Sequence, residues 1–263
     1  MDVIRGTGRW AALRGWLLVV ALLGVLAVVL TSRAHAAPTA GLEEGPRQGG
    51  ALGSPDPAGS SPATTYLNLQ ADGRTPVTWS PCRPSHYVMR PDRMPPGGQR
   101  LLEDAIAQVS ALSGLRFVYD GPTDEYVDNE GRQPYQRARY GDRWAPVLVV
   151  WGNPSSEGGY VGGVPLAGWA GPFPEKAGDG SQVYVSGWMD LDADWTAAWI
   201  SKGGEQYVRA MMLHELGHLI GLDHTAAQGM LMNVTGSGGG LTFSPDELRG
   251  IESLGAGPCH RDI

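Results

Sequence analysis

The sequence predicts an α+β domain built on a mostly parallel sheet with three helices. Apolar residues recur at helical spacing in two windows, capping signals open a third helix, and short runs of strand length lie before and between the two windows. The first helical window falls between two such runs, and strand–helix–strand is a crossover unit that makes a parallel pair. No internal repeat is visible.

The elements follow in chain order from about Thr64. Pro76–Trp79 and His86–Met89 read as short extended pieces around a Pro-rich turn. Leu101, Leu102, Ala105, Ile106, Val109 and Leu112 form a helical stripe that Gly114 stops. Leu115–Tyr119 and Val147–Trp151 have strand length and apolar or aromatic content, while the polar stretch Asp120–Arg143 reads as a loop. Val161–Ala170 and Val183–Val185 add two further short strands across a Gly/Pro-rich connection. A second helix is expected over Gly204–Ile220, with Val208, Met212, Leu216 and Leu219 as its apolar stripe. The third opens at Ser244, with Pro245 in the first helical position and Glu247 completing a capping box, and closes at Gly255.

Composition bounds the function. The 263 residues include 42% hydrophobic ones, which excludes a disordered chain. With charged residues at only 18%, 39 Gly and 20 Pro indicate long irregular connections and not a helical bundle. A formal charge of −7 argues against nucleic acid as a partner. Two cysteines are too few for a disulfide-dense scaffold or a four-thiolate zinc site.

Residues 1–36 read as a secretory signal. Arg5, Arg9 and Arg14 precede an apolar run from Trp16 to Leu30, and Ala34-His35-Ala36 offers small residues to a signal peptidase. That run of fifteen residues is shorter than the roughly 20 needed to cross a bilayer. Export is therefore expected, with an uncleaved membrane anchor as the alternative. Cleavage removes four Arg and one Asp and takes the charge from −7 to −10. Residues 37–63 hold only Leu42 and Leu52 as large aliphatics, too little to offset ordering entropy, and read as a disordered spacer or a short pro-segment.

The chemistry lies in HELGHLIGLDH, residues 214–224. His214 and His218 are four apart, so a helix presents both on one face, where they can hold one metal ion. Glu215 points to a neighbouring sector, within reach of a water on that metal. Gly221 permits the unusual backbone with which the helix must end, and the chain returns His224 as a third nitrogen ligand. Three neutral nitrogens leave a zinc ion its full charge and one open position for a water whose pKa falls to about 7. Glu215 would take that proton as general base and deliver it to the leaving amine. Hydrolysis of internal peptide bonds in a polypeptide substrate follows, with no covalent intermediate. Chance would assemble the five fixed residues in about two of 100,000 such chains.

This motif, HExxHxxGxxH, resembles the zinc signature of the metzincin metallopeptidases. Gly229-Met230-Leu231-Met232, with Met232 eight residues past His224, and Ser244–Ile251 are similar to the matrixin branch, whose catalytic domain occurs in matrix metalloproteinases. The resemblance is strong over about forty residues and looser over Thr64–Cys259. It implies a zincin fold with one antiparallel edge strand and zinc in the cleft. It also implies His214, His218 and His224 as zinc ligands, Glu215 as base and Met232 as the methionine of a turn under the zinc. Gly162-Gly163-Val164 through Ala167 resembles the edge strand on which such enzymes lay substrate, a Gly-rich loop being the alternative.

The chain also departs from the branch. Asn233 and Val234 stand where Tyr-Pro is usual, which puts the wall of the pocket after the cut in question. Asp223 precedes the third His and is expected to be solvated or locally hydrogen-bonded. Outside the motif the expected mature chain has His86 and His260, each alone, so one zinc is expected. Asp190, Asp192 and Asp194 alternate as on one strand face and read as a solvated acidic edge, with calcium open as a second cation. Cys82 and Cys259 are expected to pair after export, against a cysteine switch built on Cys82. The expected protein is a secreted, monomeric zinc endopeptidase with no stable membrane association. A non-catalytic zinc-bearing protein of the same fold is the alternative.

Overall fold

Parallel pairing begins where the sequence puts a helix between two strands. In the computed structural model, β2 (Ser85–Met89) and β3 (Phe117–Pro122) pair in parallel across helix α1 (Gly98–Ser113). The structure describes residues 64–126, 131–153, 160–161, 164–165, 167–234 and 239–263. The proposed signal and the spacer or pro-segment lie outside the described residues.

Leu101, Leu102, Ala105, Ile106 and Val109 of α1 are buried, and Gly114 ends the helix at φ 74°, with its N–H on Ser110 O. β4 (Val147–Gly152) lies between β2 and β8 (Gln182–Asp192), parallel to both. Its residues are apolar without alternation because both faces are covered. β7 (Gly168–Lys176) takes one whole edge of β8 in antiparallel register, while β4 and the two-residue β1 (Thr78–Trp79) share the other. The sheet is thus mostly parallel with one antiparallel edge strand.

On one face lie α1, α4 (Glu205–Ile220) and α5 (Pro245–Gly255), with the main core beneath them. Residues that alternate with that core on the strands, Val88, Leu148 and Val150, form a small cluster on the other face with Tyr140 and Trp188. α5 opens as expected: Ser244 Oγ accepts from Glu247 N, and a Glu247 carboxylate oxygen accepts from Ser244 N. Cys82 and Cys259 are disulfide-bonded and no described cysteine is free, so the bridge ties the loop after β1 to the tail after α5.

Several expectations need correction. Two short helices join the three expected: α2 (Arg137–Tyr140) and α3 (Ala193–Ser201). The stretch read as the loop Asp120–Arg143 begins with the end of β3 and includes α2. It also carries a buried ion pair, Arg132 with Glu125. β8 runs to Asp192, much longer than Val183–Val185, because its polar residues are satisfied internally and do not interrupt it. The acidic trio is not a solvated edge. Asp190 is buried and accepts from Gly152 N, and Asp192 is buried as the N-cap of α3, accepting from Trp195 N. Only Asp194 is exposed, paired with Arg93. The edge strand of the main sheet also starts later than expected. Val164–Pro165 (β6) instead pairs with Tyr160–Val161 (β5) in a separate hairpin, and Gly162, Gly163 and Leu166 lie outside the described residues.

Candidate metal centre and its carboxylate

Helix α4 holds His214 and His218 one turn apart, and the loop beyond it brings His224 alongside. Gly221 ends the helix at φ 121°, a conformation that L side chains rarely adopt. The three Nε2 atoms are 3.1 Å (His214–His218), 3.2 Å (His214–His224) and 3.2 Å (His218–His224) apart. Among the described residues this is the one group of three or more His, Cys, Asp or Glu whose ligand atoms converge.

The tautomers follow from the far side of the rings. His214 Nδ1–H donates to Leu231 O at 2.7 Å, and His218 Nδ1–H donates to Leu222 O at 2.9 Å. Both Nε2 atoms therefore present bare lone pairs to the centre. Burial lowers the His214 pKa to about 4, despite its bond to Leu231, and that of His218 to about 3. Burial lowers His224 too, against the opposing charge of Asp223. Neutral imidazoles with converging lone pairs repel unless a cation lies between them. A tetrahedral ion with metal–nitrogen distances of about 2.0–2.1 Å needs nitrogens about 3.3 Å apart, so the trio fits zinc.

Glu215 lies beside the trio, buried, and its Oε2 has no hydrogen-bond partner among the described residues. Desolvation, with a further contribution from the charge of Asp190, pushes its pKa up to about 8. The edge strand passes directly against this carboxylate. A Cβ at Gly168, the first residue of β7, would stand 2.7 Å from Glu215 Cγ, so only glycine fits without displacing it.

Met232 packs beneath the helix: a Cβ at Gly217 would meet its Sδ at 2.6 Å. Its turn is closed by Thr225 N–H on Met232 O and Val234 N–H on Thr225 O. Asn233 is buried and donates from Nδ2 to Ala227 O, so it serves the turn from within. Asp223 is locally bonded, its Oδ1 accepting from His224 N at 2.7 Å. His86 stands apart from the centre, against Asp120, and His260 is buried beside Ser80, to which its backbone N–H and O are bonded.

The sequence marks Glu247 only as a helix cap. Its buried carboxylate also accepts from Leu231 N (3.1 Å) and Met232 N (2.6 Å). It thereby fixes the peptide whose carbonyl orients His214. Gly168 has no role in the sequence reading, and Asp190 enters it only as part of an acidic edge. A glycine opening a strand is a signal of close approach, whereas the nearness of Asp190 to Glu215 leaves no local trace in the sequence.

Residues 173–255, from within β7 to the end of α5, match the family model described as Matrixin. That match, over about a third of the chain, supports a matrixin-like metzincin catalytic domain. No curated protein matches it. The matched part of the matrixin-like domain spans β8, α4, all three histidines, the methionine turn and Glu247. Its family chemistry is that of zinc metallopeptidases.

Proposed function

We propose that the protein is an exported zinc endopeptidase that hydrolyses internal peptide bonds of polypeptides. Residues 64–263 would form its catalytic domain, behind a signal at 1–36 and a spacer or short pro-segment at 37–63. The observation that best supports this is a buried carboxylate, one oxygen of which has no partner among the described residues, beside three converging imidazole nitrogens.

In this reading His214, His218 and His224 would hold the ion, with Met232 packed beneath the helix that carries the first two. Zinc, when bound, supplies Lewis acidity, polarising a carbonyl and making a water more acidic. Glu215 accepts the proton of the attacking water on its free oxygen and passes it to the departing nitrogen. A carboxyl with raised proton affinity suits the second half of that task. Gly168 keeps the space beside it open. The outer edge of β7 is unpaired among the described residues, and an extended peptide would add there as a further strand. Binding through the backbone orients the scissile bond with little dependence on side chains.

The test compares wild type with Glu215→Ala on an unfolded protein substrate, with and without a chelator. Wild-type cleavage is expected to stop with chelator and return with zinc. Glu215→Ala should retain zinc and lose about 10²–10⁴-fold in kcat. Equal proteolysis by the two proteins sinks the assignment. Two proteins that bind zinc and cleave nothing point to the non-catalytic alternative. Sequencing the N-terminus of exported protein tests the signal, with Ala37 expected first.

A further inference from the structure

His214 and His218 are fixed by a helix and by carbonyl anchors, but His224 has neither. It lies past the end of α4, and its Nδ1 has no hydrogen-bond partner among the described residues. Apart from the other two imidazoles, against which this ring packs, the polar contacts that aim it act through its backbone.

That backbone is held from the opposite end of the domain. Residues Thr65–Leu67 run antiparallel to Gly221–Asp223: Leu67 N–H donates to Gly221 O, Tyr66 bridges Leu222, and Asp223 N–H donates to Thr65 O. The Thr65 hydroxyl then donates to His224 O at 2.6 Å, across 159 positions of sequence. Asp223 Oδ1 takes the His224 N–H. Both polar groups of the His224 backbone are therefore held, one by its neighbour and one by Thr65. The same short ladder pins Leu222, whose carbonyl orients His218. Thr64 fastens the near end of the strap through its hydroxyl to Asp246 O at 3.0 Å.

We propose that Thr65 is a positioning residue for the metal centre, its hydroxyl aiming His224 through the carbonyl of that residue. The inference rests on the three histidines being zinc ligands. Partners that orient ligands are worth about 10–100-fold in metal affinity, and an exposed hydroxyl belongs at the low end.

Zinc affinity is measured by competition with a chromophoric chelator in wild type, Thr65→Val, Thr65→Ser and Thr75→Val. The valine at 65 keeps the branched shape and removes the donor. Thr75 supplies a control in the same segment, since its hydroxyl bonds only to Asp72 and lies away from the centre. Thr65→Val is expected to bind zinc about ten-fold more weakly, with an altered visible spectrum in the cobalt-substituted protein. Thr65→Ser and Thr75→Val should match wild type. Thr65→Val with wild-type affinity and cobalt spectrum overturns the inference, as does equal weakening in Thr65→Ser or Thr75→Val. Wild type that takes up no zinc overturns the ligand assignment itself, a distinct result.

Discussion

Two glutamates are equally buried, Glu215 and Glu125, each with 5% of its surface exposed, and they lie in opposite electrostatic circumstances. Glu215, on the helix that carries His214 and His218, has an oxygen with no partner among the described residues, and its proton affinity is raised. Glu125, across the sheet, is surrounded by donors. Arg132 reaches both its oxygens, from Nε at 2.8 Å and Nη2 at 3.1 Å, and Tyr140 and Gln136 add a bond each. Burial alone would raise the Glu125 pKa, but these bonds and the Arg132 charge outweigh it and lower it. Arg132 spends its remaining donors on Ser186 Oγ, Gly187 O and Pro146 O, so the network is closed. Burial does not decide what a carboxylate does; its partners do. One carboxylate is left open for a proton, and the other is a strut.

Removing the partner of Glu125 should make it resemble Glu215 and break that contrast at the greatest cost. Arg132→Met leaves a buried charge uncompensated, which costs about 3–5 kcal/mol. Urea unfolding followed by fluorescence is the measurement, and the midpoint should fall accordingly. The double variant with Glu125→Leu should recover much of the loss, because both polar partners are then gone. Glu215→Gln, by contrast, should cost under about 1 kcal/mol near pH 5, where Glu215 is still protonated, since an oxygen without a partner among the described residues loses none. Equal losses in the two single variants would show that the partner sets do not matter.

The contrast also explains what could be read in the sequence. The histidine trio and Glu215 lie within eleven consecutive residues, and helical periodicity alone puts two imidazoles on one face. The capping box of α5 is equally local. Arg132 and Glu125 are seven apart in a polar stretch, and the Ser186 and Pro146 groups that complete their burial come from distant segments. No periodicity reports such a pairing, so the stretch reads as a loop. Helix α3 was missed because Asp190, Asp192 and Asp194 mimic the alternation of a strand, whereas the strand gives way to the helix at Asp192. Thr65 and His224 are linked only by the fold.

Glu247 provides an intermediate case: a buried carboxylate held by neutral N–H groups of Leu231, Met232 and Ser244 and, among the described residues, by no cation. Glu247→Gln replaces one acceptor oxygen with a donor, so at least one of those buried N–H groups loses its partner, for about 1–3 kcal/mol. The loss should fall between those of Arg132→Met and Glu215→Gln in the same urea series. Because Leu231 O orients His214, zinc affinity should fall with stability in this variant. In Arg132→Met, zinc affinity should hold while stability falls, when measured where the variant is still folded. If Glu247→Gln keeps wild-type zinc affinity, the turn does not orient His214.

The last comparison is a pair of slopes of opposite sign in the metal-free chain. Glu215 has a folded pKa of about 8, above its ordinary 4.5, so its contribution is fully present below 4.5 and is lost as pH rises to about 8. Glu125 has a lowered folded pKa, so its contribution is present above the ordinary 4.5 and is lost as pH falls through the folded value. His214 and His218, held near 4 and 3, lose stability as pH falls below their ordinary 6.5, which overlaps the Glu215 window with the opposite sign. The Glu215 slope must therefore be taken as the difference between wild type and Glu215→Gln. With zinc removed, unfolding midpoints from pH 5 to 8 should show wild type losing ground to the variant, by at most about 1.4 kcal/mol per pH unit for one proton. Glu125→Gln should instead flatten the loss below pH 4.5 and run parallel to wild type above pH 5. Parallel curves for wild type and Glu215→Gln from pH 5 to 8 would mean that Glu215 is ionised throughout, and the contrast between the two glutamates would rest on geometry alone.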